Sequence, residues 1–402
     1  MKKISMLLFV CALIMSFNKI SAQGEAAVPF LLLAPDSRAG GIGESGSGLA
    51  DNSAAIFWNP AGIAFLTGSD ITITHSNWLP AFNLDLFYDY ATYRQYIEDL
   101  NGSLTASITY MNYGEFVRTS SNSPDPIGTF RSFDAALTLG YATKLSNDWG
   151  LGLNFRLIYS RLSDQPTEQE QGRGVATTIS FDVAAMWRPE HFNIPFLGDL
   201  GNRFSMGVNI SNIGPKIYYI DQAQADPIPQ NFRLGIAARI FEDEYNSLTY
   251  TLDFSKLLVD KGISRTDAGL TGEDTTGVYT SAKRKDFYQA LFTAWTDQSF
   301  GEELRDIVTS MGMEYWYGNV EEGFQFALRA GFFYEDPSFG NRKFITLGAG
   351  IRYDLYGFDF SYITTDVFKN SENHPLNNTL RFSLLIGLGS QPHTAKGFPR
   401  GI

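Results

Sequence analysis

The side chains that could do chemistry are few and scattered. Gly41-Ile42-Gly43-Glu44-Ser45-Gly46 matches G-x-G-x-x-G and follows an apolar run over residues 28–33, as a phosphate loop follows a strand in a dinucleotide site. Pro35 and Asp36 intervene, however, and no second βαβ pattern follows. The glycines therefore read as the tight turns of a compact loop. His75, His191, His374 and His393 show neither H-E-x-x-H nor paired spacing, and no G-x-S-x-G elbow is present. His75 and Ser76 adjoin on a strand-like run, which aims them at opposite faces and removes them as a hydrolytic pair. Acidic clusters at 242–244 and 321–322 read as solvated turns without the spacing of a calcium loop. The expectation is a non-enzyme with no cofactor and no metal.

One charged set is placed differently. Arg156, Arg233, Arg239, Arg352 and Arg381 fall on the polar phase of segments whose other phase is apolar. Leu151, Leu153, Phe155, Leu157 and Tyr159 alternate with Gly152, Asn154 and Arg156; Leu380, Phe382, Leu384 and Ile386 alternate with Arg381 and Ser383. Period two is the mark of a strand with two unlike faces. If the apolar face meets lipid, these arginines project into a lumen, where they either pair with acidic groups or line a polar cavity.

Fourteen such runs are legible, near 70–77, 82–93, 103–112, 131–143, 150–162, 175–188, 203–213, 231–241, 246–257, 308–318, 324–334, 342–353, 357–364 and 377–388. A soluble sandwich also alternates, but most of these runs reach the roughly 9–11 residues with which a tilted strand crosses a bilayer. Links after even-numbered runs are mostly short, as at 145–149, 242–245, 319–323 and 354–356, with 189–202 an exception. Links after odd-numbered runs are mostly long and polar: 114–130, 163–174, 214–230, 258–307 and 365–376. Short turns on one rim and long loops on the other predict an all-β fold, a 14-stranded antiparallel outer-membrane β-barrel with the turns periplasmic. Trp78, Trp149, Trp187 and Tyr315-Trp316-Tyr317 lie near run ends, where an aromatic girdle belongs.

Composition agrees. The 402 residues include 32 Phe, 20 Tyr and 38 Gly, and only 18% are charged. Lys2 and Lys3, an apolar stretch over 4–17 and Ser21-Ala22 predict a signal peptide at 1–22. Cys11, the sole cysteine, lies within it, so the mature chain is expected to have no disulfide. The net charge of −12, deepened by loss of Lys2, Lys3 and Lys19, gives no basic face for nucleic acid. The division expected is a leader at 1–22, an N-terminal hatch at 23–68 inside the lumen, a transmembrane barrel at 69–388 and a tail at 389–402. Within the 258–307 link, Phe287, Ala290, Leu291 and Ala294 have helical spacing, which predicts short amphipathic helices serving as a lid or as a docking element presenting Phe287, Leu291 and Trp295.

Asn59-Pro60-Ala61-Gly62, between a Gly/Ala/Ser-rich segment and period-two strands, resembles the FadL superfamily of outer-membrane transporters, which enclose an N-terminal hatch in a fourteen-stranded barrel. Phe30-Leu31-Leu32 with Pro35-Asp36-Ser37-Arg38-Ala39, Asp253-Phe254-Ser255-Lys256-Leu257-Leu258, Glu314-Tyr315-Trp316-Tyr317, Gly340-Asn341-Arg342 and Leu380-Arg381-Phe382-Ser383 are similar to the PorV/PorQ family of the Bacteroidetes type IX secretion system. The resemblance implies a non-enzymatic outer-membrane component of a Gram-negative, Bacteroidetes-like cell. It would receive cargo bearing a C-terminal signal domain from the type IX translocon and deliver it to the surface sortase and attachment complex. The alternative is a FadL-like transporter of hydrophobic small molecules, with Phe30, Leu31, Leu32 and Leu33 as apolar ligand or hatch contacts.

Overall fold

A computed structural model describes residues 26–82, 84–120, 123–163, 174–195, 198–220, 222, 225–259, 285–318, 323–368 and 374–388. The expected leader and tail lie outside these residues.

Among the described residues fourteen antiparallel strands close into a barrel in simple chain order. They are β1 Ser69–Asn77, β2 Phe87–Ile97, β3 Gly102–Ser120, β4 Ser123–Lys144, β5 Trp149–Arg161, β6 Val175–Trp187 and β7 Phe204–Ile213. The second half comprises β8 Asn231–Glu242, β9 Asn246–Leu257, β10 Val308–Tyr317, β11 Phe324–Tyr334, β12 Lys343–Tyr353, β13 Tyr356–Thr364 and β14 Thr379–Leu388. The seam joins β1 to β14 from Ser69↔Leu388 to Ser76↔Arg381, so the sheet closes on itself.

The period-two pattern explains which face goes where. On β3 and β5, Leu104, Ile108, Leu153, Phe155 and Leu157 are exposed on the outside, while Thr105, Ser107, Thr109, Asn154 and Arg156 are buried. An exterior this apolar over the whole wall suits only a lipid surrounding. The interior is polar and small-residue-rich. Trp149 and Tyr317 are exposed near one rim, whereas Trp316 points inward and is buried, so the girdle expected of that triplet is carried by its flanking tyrosines.

Two boundaries differ from the sequence reading. Residues 80–82 form a single 3-10 turn and β2 begins at Phe87. Most of the 114–130 link is not a loop: β3 and β4 stay paired from Glu115↔Arg131 to Ser120↔Ser123, beyond the last partners of β2 and β5. Gly114, at φ +85°, sits in the register shift that lets this ribbon continue. Stacking of Phe116 on Phe130, with centroids 5.6 Å apart, is a cross-strand pair that supports it.

The long 258–307 link carries α3 Phe287–Thr293 and α4 Phe300–Arg305, each opened by a capping box, from Asp286 with Gln289 and from Ser299 with Glu302. Two shorter helices precede the barrel. They are α1 Ser37–Gly41 and α2 Ala55–Trp58, flanked by 3-10 turns at Pro29–Leu32 and Pro60–Phe65.

Candidate functional site

The segment over residues 29–66 is ringed by the wall. Its hydrogen bonds reach β1 and β2 through Ser53, β5 through Ile56, β6 through Asn59, β7 through Gly48 and Trp58, and β9 through Ser45 and Ser47. Further bonds run from Arg38 to β10, from Gly43 to β12 and from Ser37 to β14. The buried apolar core is accordingly a lumen core. Phe30, Ile56 and Ile63 of the segment pack with Tyr88, Tyr90, Met111, Ile158 and Met186 of the wall.

Local chemistry fixes the segment's shape. Asp36 caps α1 by accepting from Ala39 N at 2.9 Å and binds Trp58 Nε1 at 2.6 Å, tying α1 to α2. Asn59 Oδ1 accepts from Ala61 N at 3.0 Å, its Nδ2 donates to Ala185 O at 3.2 Å, and Pro60 occupies the first helical position, where no N–H is needed. Gly62 lies against Ala50, where a Cβ would meet the Ala50 carbonyl. Thus Asn59, Pro60, Ala61 and Gly62 form a capped turn held to the wall. Burial pushes the Asp36 and Asp51 carboxyls above the usual range, against the bonds Asp36 accepts and the charge of Arg38 beside Asp51.

A chain of buried ion pairs crosses from segment to wall. Arg38 Nη1 meets Asp51 at 2.5 Å, and its Nε and Nη2 each lie 2.7 Å from the Glu314 carboxylate. Glu314 also accepts from Arg329 Nε at 2.7 Å, Arg329 reaches Asp359 at 2.8 Å, and Asp359 holds Arg352 at 2.7 Å. Trp316 underlies both wall arginines, 5.2 Å from the Arg329 guanidinium and 5.0 Å from that of Arg352. A second clasp joins Arg381 to Glu44 at 2.8 Å, and Ser383 Oγ accepts from Ser37 N at 2.9 Å.

The five arginines singled out in the sequence all lie on the inner phase, but they are not gathered into one cavity. Arg156 binds Asp182 at 2.8 Å, Arg239 binds Glu242 at 2.6 Å, and Arg352 and Arg381 pair as above. Arg233 instead lies over the rings of Phe57 and Trp58, 4.8 and 4.9 Å from their centroids, which meet each other edge-on at 5.0 Å. Phe30 and Leu31 are buried against the wall, with Leu32 and Leu33 half-buried beside them. On the long link, Trp295 packs edge-on to Phe232 at 5.1 Å and Ala290 and Ala294 are buried, so this face anchors α3. Phe287 and Trp295 keep part of their surface exposed and Leu291 is half-buried; Phe292 and Phe300 are the most exposed, at 77% and 80%.

Sequence reasoning missed Arg38, Asp253, Glu314, Arg329 and Asp359 as a set. The signal was present, since each wall member is a charge on the inward phase of an otherwise period-two strand. Gly152 and Gly235 were legible as inward-phase residues, but their role was not, nor that of Gly207, Gly312 and Gly331: at each an added Cβ would strike the backbone or side chains of residues 42–61. Backbone packs on backbone around much of the ring. The apparent phosphate loop belongs to this contact: Gly43, at φ +76°, faces Met311 and Phe332 of the wall.

The sequence-bearing motifs of the wall converge on the same junction. Asp253 holds Ser47 N at 2.7 Å and Ser45 Oγ at 3.1 Å, while Lys256, three residues on, holds Asp306 at 2.5 Å and Glu303 at 2.9 Å beside α4. One strand end thereby clasps both the enclosed segment and the long link.

The sequence profile of a family described as "Type IX secretion system protein PorV" matches residues 18–263. No curated protein matches the chain. Solved structures similar to it include the Ralstonia pickettii toluene transporter TbuX, 10% identical with a TM-score of 0.45, covering 88% of this chain and 98% of that one. A Pseudomonas aeruginosa FadL homologue gives the same identity, score and coverage. The CymD monoaromatic hydrocarbon channel is 9% identical with a TM-score of 0.48, covering 89% and 98%.

Proposed function

The chain belongs to the PorV family and is an outer-membrane barrel of the type IX secretion system of a Gram-negative cell, and from that premise we propose that it handles secreted protein at its outer rim. In this reading it receives cargo with a C-terminal signal domain from the translocon and delivers it to the surface attachment and sortase complex. Residues 29–66 act as a hatch, and the barrel works as a membrane-fixed platform.

The observation that carries this reading is the junction itself. The lumen is filled by a segment held through buried ion pairs and backbone-to-backbone contacts with the wall. A conduit for small molecules would have to break them. Protein contacts fall instead to the rim of long links, where α3 and α4 expose Phe292 and Phe300 above an anchored face. Exposed aromatics on a capped, anchored helix suit reversible docking.

The test is affinity recovery from detergent-solubilised outer membranes. Translocon and signal-domain cargo should copurify with the barrel, and cross-linking from position 287 should reach another protein. Recovery of neither would overturn the reading. The transport alternative predicts instead uptake of a labelled fatty acid that is lost when residues 29–66 are deleted.

A further inference from the structure

A hydrogen-bonded pair of titratable side chains sits on the outer face of the wall, where lipid is met. His75 on β1 stands directly opposite Asp89 on β2, and its Nδ1 lies 2.7 Å from Asp89 Oδ1. The two side chains are 58% and 46% exposed. Around them the same face carries Ile71, Ile73, Ala91, Tyr93, Phe382 and Leu384. Polar and ionisable groups against hydrocarbon are costly, so such a pair on a membrane wall points to a function. Thr74 and Ser76, the hydroxyls on either side of His75 in sequence, are buried on the inner face. The histidine thus has no nucleophile beside it on its own strand, which leaves binding as the role.

The pair lies at the outer end of the wall. His75 is two residues from the end of β1, on the rim from which the long links rise. From it a row of rings runs across five strands, His75, Phe87, Tyr110, Phe133 and Tyr159, with successive centroids 5.8, 6.1, 5.5 and 5.7 Å apart. This row is the outer aromatic girdle over β1–β5. Arg161 stands opposite Phe133. Arg131, two residues from Phe133 on the same face of β4, stands opposite Glu115, and both are exposed. Polar groups of both signs therefore flank the row.

At girdle depth the groups that reach the wall are lipid heads. Acyl chains offer neither donors nor acceptors, whereas each sugar hydroxyl is both. Carboxylates accept from such hydroxyls, guanidinium groups donate to them, and an imidazole whose Nδ1 is held by Asp89 keeps Nε2 for either role. The rings add an apolar surface for the C–H faces of a sugar.

We propose that the outer face of β1–β5 binds the saccharide head of an outer-leaflet glycolipid. Its sugars pack along Phe87, Tyr110, Phe133 and Tyr159, with hydroxyls bonded to His75 and Asp89 at one end and to Glu115, Arg131 and Arg161 at the other. The site lies outside the lumen and apart from α3 and α4, so it stands or falls separately from the cargo reading.

The experiment titrates lipid-stripped barrel in detergent with fluorescent rough lipopolysaccharide, followed by anisotropy. Binding should saturate, and unlabelled rough lipopolysaccharide should displace the probe where phosphatidylglycerol does not. His75→Leu with Asp89→Leu should weaken binding about tenfold or more, the scale of one lost charged hydrogen bond, while heat-modifiable migration is kept because leucine suits a lipid face. Arg131→Gln, beyond the membrane, should weaken it severalfold alone and decides the matter if the double variant fails to fold. Lys343→Leu, on the outward phase of β12 away from the row, should leave affinity within about twofold. Equal displacement by phosphatidylglycerol would overturn the site, as would unchanged affinity in the folded double variant or an equal loss in Lys343→Leu. A double variant that binds lipopolysaccharide normally but loses a copurifying membrane protein would make this face a protein interface and overturn the proposal.

Discussion

Replacing Glu314 by Ala should release the enclosed segment from the wall without dismantling the barrel. The Glu314 side chain is 1% exposed and accepts three charge-assisted hydrogen bonds at 2.7 Å, two from Arg38 and one from Arg329. Removing one partner of a buried pair costs about 3–5 kcal/mol. Arg38 retains Asp51 and Arg329 retains Asp359, so the lower part of that range applies. The strand ladder of β10 is untouched, so the loss falls on docking of the segment. Ala54, 0% exposed within the segment, reports this as a cysteine in a Cys11→Ser background. Labelling by a hydrophilic maleimide then tracks the open population. About 3–4 kcal/mol corresponds to labelling roughly 10²- to 10³-fold faster in Glu314→Ala. Glu98→Ala, an exposed change on a short turn, should leave the rate within about threefold. Equal rates in the wild type and Glu314→Ala would refute the reasoning, since the ion pairs would then contribute nothing to holding the segment.

Gly331→Ala should lower the heat-modification midpoint on gels, since its Cβ would strike Gly43 N and overpacking costs about 1–3 kcal/mol. Gly301→Ala, in α4 with nothing within 4 Å, should be neutral or stabilising by up to ~1 kcal/mol, and a matching loss in both would deny the close approach. Asn59→Ala removes a cap and a wall tether, together about 1–3 kcal/mol, and should raise Ala54→Cys labelling while the barrel still folds; unchanged labelling would remove the special status of this turn. Phe292→Ser with Phe300→Ser should leave stability within about 0.5 kcal/mol yet cut translocon recovery about tenfold, the scale of an interface anchor, and undiminished recovery would move the docking surface elsewhere.

The wall was legible because a barrel strand has one rule, alternation, and each strand obeys it locally. Leu153 and Phe155 could be assigned outward and Asn154 and Arg156 inward from sequence alone. The 114–130 ribbon was not legible in the same way, because beyond the membrane both faces of a strand meet water and alternation loses its cause. The enclosed segment obeys no period at all, because its shape is set by contacts distant in sequence. Asp36 reaches Trp58, Arg38 reaches Glu314, and Ser37 meets Ser383, 346 residues away.

A physical rule does recover part of that junction. A charge on the inward phase of a strand cannot reach bulk water when the lumen is filled, so it must have an opposite charge or hydrogen-bonding partners within reach. Applied to the inward charges Asp253, Glu314, Arg329, Asp359 and Arg381, the rule demands partners, and the structure supplies them from the segment and neighbouring strands. Arg233 and Arg188 are met less directly: Arg233 lies over the rings of Phe57 and Trp58 with the Asp253 carboxylate on the same cavity, and Arg188 donates to the carbonyls of Leu49 and Ala50.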